Sequence, residues 1–214
     1  MKAPSSVLVL ILMVLALLSA GCEPKVYYYD FQAEGDLNNA EGTWILMEPV
    51  IYSFNTYGIV LNGAVICAPH KYSGDFTITS EFVLDASSEP VSLIFYLDSE
   101  PFFPNVIPDS EISIWLEANK TLVKLEADEY EKGQVNELYN DYIDVIHVDD
   151  LNIIKVVKTG NQIVVSINDD EIFYETLDLY ASMWFCPLIF SNSTEGSCQV
   201  RDFKVEYRGR QAMI

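Results

Sequence analysis

Beyond Lys25 no stretch of ten or more residues keeps a helical period, whereas apolar and polar residues alternate with a period of two in segment after segment. Short β-branched and aromatic runs at close spacing predict antiparallel strands almost throughout. The expected strands are 27–31, 43–48, 58–61, 64–68, 75–84 and 91–97 in the first half. The second half adds 110–117, 120–126, 143–148, 151–158, 162–168, 171–175, 184–190 and 198–207. Residues 101–109, with three prolines, read as a loop, and 130–141 as a loop or one short helix. Within 75–84, Phe76, Ile78, Phe82 and Leu84 fall on one side while Thr77, Thr79 and Glu81 fall on the other. One face of each strand is therefore dry and the other wet, which predicts an all-β fold of two packed sheets, a sandwich.

Three hairpins follow from the same pattern. A two-residue turn at Ala118-Asn119 would set Trp115 opposite Leu122, Ser113 opposite Lys124 and Glu111 opposite Glu126, with Ile114 on Val123 and Ile112 on Leu125 behind them. A turn at Gly160-Asn161 aligns Ile154, Val156, Ile163, Val165 and Ile167 on one face. The next turn, Asn168-Asp169-Asp170, carries that face on to Ile172 and Tyr174.

The first 21 residues break the pattern. Lys2 precedes an unbroken apolar run from Val7 to Leu18, and Ser19, Ala20 and Gly21 then lead into Cys22. A charged start, an apolar stretch shorter than a bilayer span and small residues at its end describe an export signal. Leu18-Ser19-Ala20-Gly21-Cys22 resembles the lipobox of prokaryotic lipoproteins, with Ser19 where the strongest form has Leu. The resemblance implies cleavage before Cys22, lipidation of that residue and a protein held at the cell envelope by its N-terminal lipid. The expected organisation is a signal peptide over 1–21, a lipidated tether over 22–26, the sandwich over 27–207 and a tail over 208–214.

Charge narrows the partners. The 214 residues hold 12 Lys and Arg against 32 Asp and Glu, a net charge of −20, and loss of the signal removes one more cation and no acid. Nucleic-acid backbones and bare anionic membranes repel such a surface, so nucleic-acid binding is excluded and the lipid alone would hold the membrane.

Several segments resemble the concanavalin A-like (laminin G-like) jelly-roll superfamily: Gly42-Thr43-Trp44, then Gly74-Asp75-Phe76-Thr77-Ile78, then Asn152-Ile153-Ile154. Val165-Ser166-Ile167-Asn168 and the closing Asp202-Phe203-Lys204-Val205 continue the series, with Asp169 where the hairpin Gly usually stands. The likeness spans most of 27–207 and implies a jelly roll, a fold that hosts lectins, glycosidases and adhesion modules alike. Glucanases of the superfamily carry an E-x-D-x-x-E or E-x-D-x-E strand, which Glu111-Ile112-Ser113-Ile114-Trp115-Leu116-Glu117 resembles with Ser113 at the middle acid. Six residues along a strand separate Glu111 and Glu117 by roughly 20 Å, whereas glycoside hydrolysis needs carboxyls about 5–9.5 Å apart. They are therefore not a catalytic pair with each other.

A binding face suits these residues better. Trp115 is a flat apolar platform among Glu111, Ser113, Glu117 and Lys124, an arrangement that suits a sugar ring or a partner's side chain. The bland alternative is that the 101–109 loop covers Trp115 as a small satellite core. Trp44 and Trp184 are expected in the core. His147 beside Asp149 and Asp150 reads as a strand end followed by a polar turn.

Of the four cysteines, Cys22 is assigned to lipid, and Cys186 and Cys198 flank a turn-like segment across which they could pair; buried free thiols are the alternative. No cofactor is expected except a structural calcium, for which jelly-roll relatives suggest Asp30 and Asp202 near the joined termini. The expectation is a non-catalytic, lipid-anchored envelope protein binding glycan or protein. A carbohydrate-active hydrolase and a structural accessory subunit of an envelope complex are the alternatives.

Overall fold

A computed structural model describes residues 23–39, 42–47, 52–85, 91–97, 110–117, 122–129, 134–142, 145–176, 183–191 and 198–214. The chain runs through β1 (Lys25–Asp30), a one-turn helix α1 (Phe31–Glu34), β2 (Asn38–Asn39), β3 (Gly42–Thr43), β4 (Ile45–Met47), β5 (Tyr52–Asn55) and β6 (Gly58–Leu61). It continues with β7 (Val65–Cys67), β8 (His70–Ser73), β9 (Phe76–Leu84), β10 (Val91–Leu97), β11 (Ser110–Glu117), β12 (Leu122–Glu129) and β13 (Gln134–Tyr142). The last third holds β14 (Leu151–Thr159), β15 (Gln162–Ile167), β16 (Asp170–Thr176), β17 (Phe185–Ser191), β18 (Cys198–Tyr207) and β19 (Arg210–Met213). The expected signal, residues 1–21, and Cys22 lie outside the described residues, as does the 101–109 loop.

Two antiparallel sheets form the sandwich. The eight-stranded sheet runs β16-β15-β14-β9-β18-β6-β5, and β1 shares the edge of β18 with β6. The nine-stranded sheet runs β13-β12-β11-β10-β17-β7-β4, with β8 on β17 and β19 on β8. Alternate residues of each sheet meet in one core. In β9, Phe76, Ile78, Phe82 and Leu84 are buried as the alternation requires, and the Phe76 ring packs across the gap against Phe185 at 5.3 Å. Segments far apart in the sequence converge on Trp44, which is 2% exposed and packs on Phe31 and Phe203, each with ring centroids 5.1 Å away. Lys158 is buried too, and its ammonium donates to the carbonyls of Gly74 and Gly160, tying two turns at one end of the sandwich. Backbones approach so closely there that a Cβ on Gly209 would sit 1.6 Å from the Ser73 carbonyl oxygen.

Several expectations need correction. The 130–141 segment is neither loop nor helix: Gln134–Tyr142 is the polar edge strand β13. Conversely, Val145 to Val148, expected within a strand, is a turn that Asn152 holds by accepting from the His147 N–H and donating to its carbonyl. The expected 208–214 tail contains β19, which pairs with β8.

Register also differs in places. The Gly160-Asn161 hairpin pairs as expected, Val156 on Val165 and Ile154 on Ile167. Strands β11 and β12 are offset by two residues from the expectation: Trp115 faces Lys124, Ser113 faces Glu126 and Glu111 faces Asp128. Four residues rather than two make that connection, and because two is the sheet period, every residue keeps its face. Tyr174 does not continue the buried face. A bulge lies opposite Val165 and Ser166, so the parity flips after Ile172 and Phe173 is buried while Tyr174 is 56% exposed.

Candidate functional site

The outer face of the nine-stranded sheet divides into two halves. On β10, β17, β7 and β4, Ile94, Tyr96, Cys186, Leu188, Cys67 and Ile45 form a second apolar cluster, separate from the main core and joined by the C-terminal Ile214. Cys67 and Leu188 are fully buried in it. On β11 and β12 the same face changes character, with Glu111, Ser113, Trp115 and Glu117 at alternate positions opposite Asp128, Glu126, Lys124 and Leu122. Polar positions begin where the apolar cluster ends, at Trp115.

Trp115 is half-buried, Ser113 is 1% exposed, and Ser92, directly across from Trp115 on β10, is fully buried. The indole is therefore seated rather than free-standing. Ser92 Oγ has no hydrogen-bond partner among the described residues, an uncommon state for a buried hydroxyl. The described register brings Trp115, Ser113, Glu111, Glu117 and Lys124 to one face. It also keeps Glu111 and Glu117 at opposite ends of one strand.

Asp30 and Asp202 stand directly opposite each other where β1 meets β18. Their carboxylates are turned to the backbone. Asp30 Oδ1 accepts the N–H groups of Gln32 and Ala33 and so caps α1. Asp202 Oδ1 accepts the N–H of Glu81, and Oδ2 accepts the Tyr28 hydroxyl. Burial pushes the Asp202 carboxyl above its ordinary range, against the downward pull of the Glu81 N–H. Among the described residues no group of three His, Cys, Asp or Glu is arranged to hold a metal ion.

Of the two readings of Cys186 and Cys198, the bond across a hairpin is not formed. The strands carrying the two cysteines belong to different sheets: Cys198 lies in the main core between them and Cys186 on the outer face of the other. Cys186 instead lies against Cys67, with sulfurs 3.3 Å apart. Trp184 is also not core. It is half-buried, and the Lys71 ammonium lies 5.7 Å from its ring centroid.

A concavity of about 490 Å³ on the outer face of the eight-stranded sheet is lined by Gln32, Tyr57, Asp149, Asp150, Gln199 and Arg201. Tyr57 is 68% exposed, and Arg201 pairs with Glu81 at 3.3 Å. Sequence reasoning missed it because its lining, which also includes Val83 and Leu151, comes from five separated segments. The one local signal was Tyr57 before Gly58, since an exposed aromatic in a tight turn buries nothing.

Comparison with solved structures finds proteins that superpose on most of the chain. A galectin-like protein of unknown function from Bacillus subtilis superposes with a TM-score of 0.63 at 14% identity, covering 86% of this chain and 96% of that one. A β-glucanase from Bacillus licheniformis gives a TM-score of 0.59 at 13% identity, over 85% and 98%. A carbohydrate-binding module from Bacillus subtilis gives 0.56 at 14% identity, over 77% and 95%. The fold is the concanavalin A-like jelly roll. No protein-family profile and no curated protein sequence matches the chain. Within the jelly roll, residues that carried the sequence resemblance pack and hydrogen-bond with one another. Trp44 meets Phe203, and Asn168 donates to Asn152.

Proposed function

We propose that the chain is an exported, lipid-anchored cell-envelope protein whose jelly roll binds glycan without catalysis. The observation that carries this reading is the seating of Trp115 where the apolar half of the outer face gives way to alternating acid, Ser and Lys positions. A flat ring fixed among polar groups suits the apolar face and hydroxyl rim of a sugar. Jelly rolls of this kind include a carbohydrate-binding module and a β-glucanase, which supports a carbohydrate partner. The strand that resembles the glucanase motif lacks its central acid: Ser113 stands there, almost fully buried. Glu111 and Glu117 are too far apart to act together. Lipid attachment at Cys22 rests on the lipobox resemblance.

The test is a glycan array and calorimetry on residues 23–214, with Trp115→Ala and Tyr57→Ala beside the wild type. Trp115→Ala should weaken binding about 10- to 100-fold in a protein that still folds, with Tm lowered by the loss of a half-buried ring, and Tyr57→Ala should leave binding intact. Wild-type affinity in Trp115→Ala, or loss confined to Tyr57→Ala, overturns the assignment of the face. Release of reducing sugar from a bound glycan would replace the binding reading with a hydrolase.

A further inference from the structure

We infer that Cys67 and Cys186 are joined by a disulfide bond in the exported protein, stapling β7 to β17. The two strands are hydrogen-bonded neighbours with Cys67 opposite Leu188, so Cys186 is one diagonal step away on the same face. Diagonal neighbours on one face are usually beyond contact for short side chains, yet here the sulfurs stand 3.3 Å apart. A disulfide needs about 2.05 Å, so closure asks for a little over an ångström, within reach of small torsional changes in two side chains. The surroundings suit a bridge. Both residues are buried in the outer apolar cluster beside Leu188, Ile45, Val65 and Ile94, where a cystine presents no proton donor to desolvate. The competing cysteine, Cys198, is buried between the sheets. No group of three potential metal ligands exists among the described residues, so the pair is not part of a metal site there.

The inference rests on export, which takes the chain to a disulfide-permissive compartment, and not on glycan binding. The chemistry is thiol–disulfide exchange with an oxidising disulfide, either an oxidoreductase or a small-molecule disulfide. One cysteine thiolate attacks that disulfide and expels a thiolate. The second cysteine, after losing its proton, attacks the protein sulfur of the mixed disulfide and expels the other. Two thiol protons and two electrons leave the protein, and the oxidant departs as a dithiol if it is an oxidoreductase or as two thiols if it is a small-molecule disulfide. Burial, together with the neighbouring Cys186, pushes the Cys67 thiol well above its ordinary value, so the folded protein offers little thiolate there. The bond therefore forms before the cluster closes, and native reductant does not reach it afterwards.

Full-length protein from the cell envelope, its thiols blocked with iodoacetamide in denaturant, is digested and mapped without reduction. The expected result is one peptide pair linked through Cys67 and Cys186, with Cys198 alkylated. Dithiothreitol should leave this link intact in the native protein and break it in urea. A loop closed across 119 positions is long, and the Cys67→Ala/Cys186→Ala double variant should melt about 10 °C lower. Alkylation of both Cys67 and Cys186 in the exported protein, or a link involving Cys198, overturns the inference. The peptide map of the wild type decides even if the double variant fails to fold.

Discussion

Asn152 makes four hydrogen bonds with one fully buried side chain. Its amide donates to the carbonyls of His147 and Asp150, and its oxygen accepts from the His147 N–H and the Asn168 amide. The turn before β14 is thus held from inside, which lets Asp149 adopt a φ of 60°. Asp202 is satisfied less completely. Burial raises its carboxyl above the usual range, so the folded state prefers the protonated form. The resulting stability is fully present below the ordinary carboxylate value near pH 3.9 and is lost as pH rises through the raised folded value. Asp202→Asn retains an oxygen to accept the Glu81 N–H and cannot ionise. Its urea midpoint should gain on the wild type between about pH 4 and pH 7, and equal differences at both would remove the role given to burial. The jelly-roll resemblance pointed to Asp30 and Asp202 near the joined termini as calcium ligands, and the register sets the two residues opposite each other. The sequence could not show that Asp30 accepts the N–H groups of Gln32 and Ala33 and that Asp202 accepts the Glu81 N–H and the Tyr28 hydroxyl, because those partners are set by tertiary position.

Hairpins were the legible elements, and their turns explain why. The Asn168-Asp169 turn carries φ values of 51° and 69°, positive at both central residues. Such a turn matches the twist of its strands and favours Asn followed by Gly. Asn168 earns its place through its side chain, which donates to the Val145 carbonyl and accepts the Ile153 N–H. Asp169 is exposed, so Asp169→Gly should raise stability by about 0.5 kcal/mol, read as a higher urea midpoint at unchanged slope. Asn168→Gly should do the reverse, since it also removes the amide from the Asn152 network. Long alternating strands such as β9 and β11 were readable because one face is buried, at Phe76, Ile78, Phe82 and Leu84 in β9 and at Ile112, Ile114 and Leu116 in β11. Strand β13 was not, because a polar edge strand lacks an apolar stripe to betray its period. Tyr174 misled because alternation carries no sign of a bulge two residues earlier, at Ile172.

At the scale of the molecule, a −20 chain has no surface attraction to anionic lipid, and no helix among the described residues is long and apolar enough to cross a membrane. Cys22→Ser should therefore leave the sandwich folded, abolish palmitate incorporation and move the protein to the soluble fraction after carbonate washing. Retention in the membrane would show another attachment. The register of β1 sets what an acylated Cys22 would do to orientation. Lys25 already pairs with Tyr207, which lies across from Phe76, and Phe76 across from Lys158. Only about 10 Å of chain separates Cys22 from that end of the sandwich. Were Cys22 acylated, so short a leash would limit tumbling and stand the domain on the end that carries Lys25, Arg208 and Arg210 beside Asp75 and Glu206. Trp115 and Ser92 belong to the other end, where Val91 and Leu116 meet Phe82 and Cys198. Anchored in that way, the protein would hold Trp115 at the end away from the lipid.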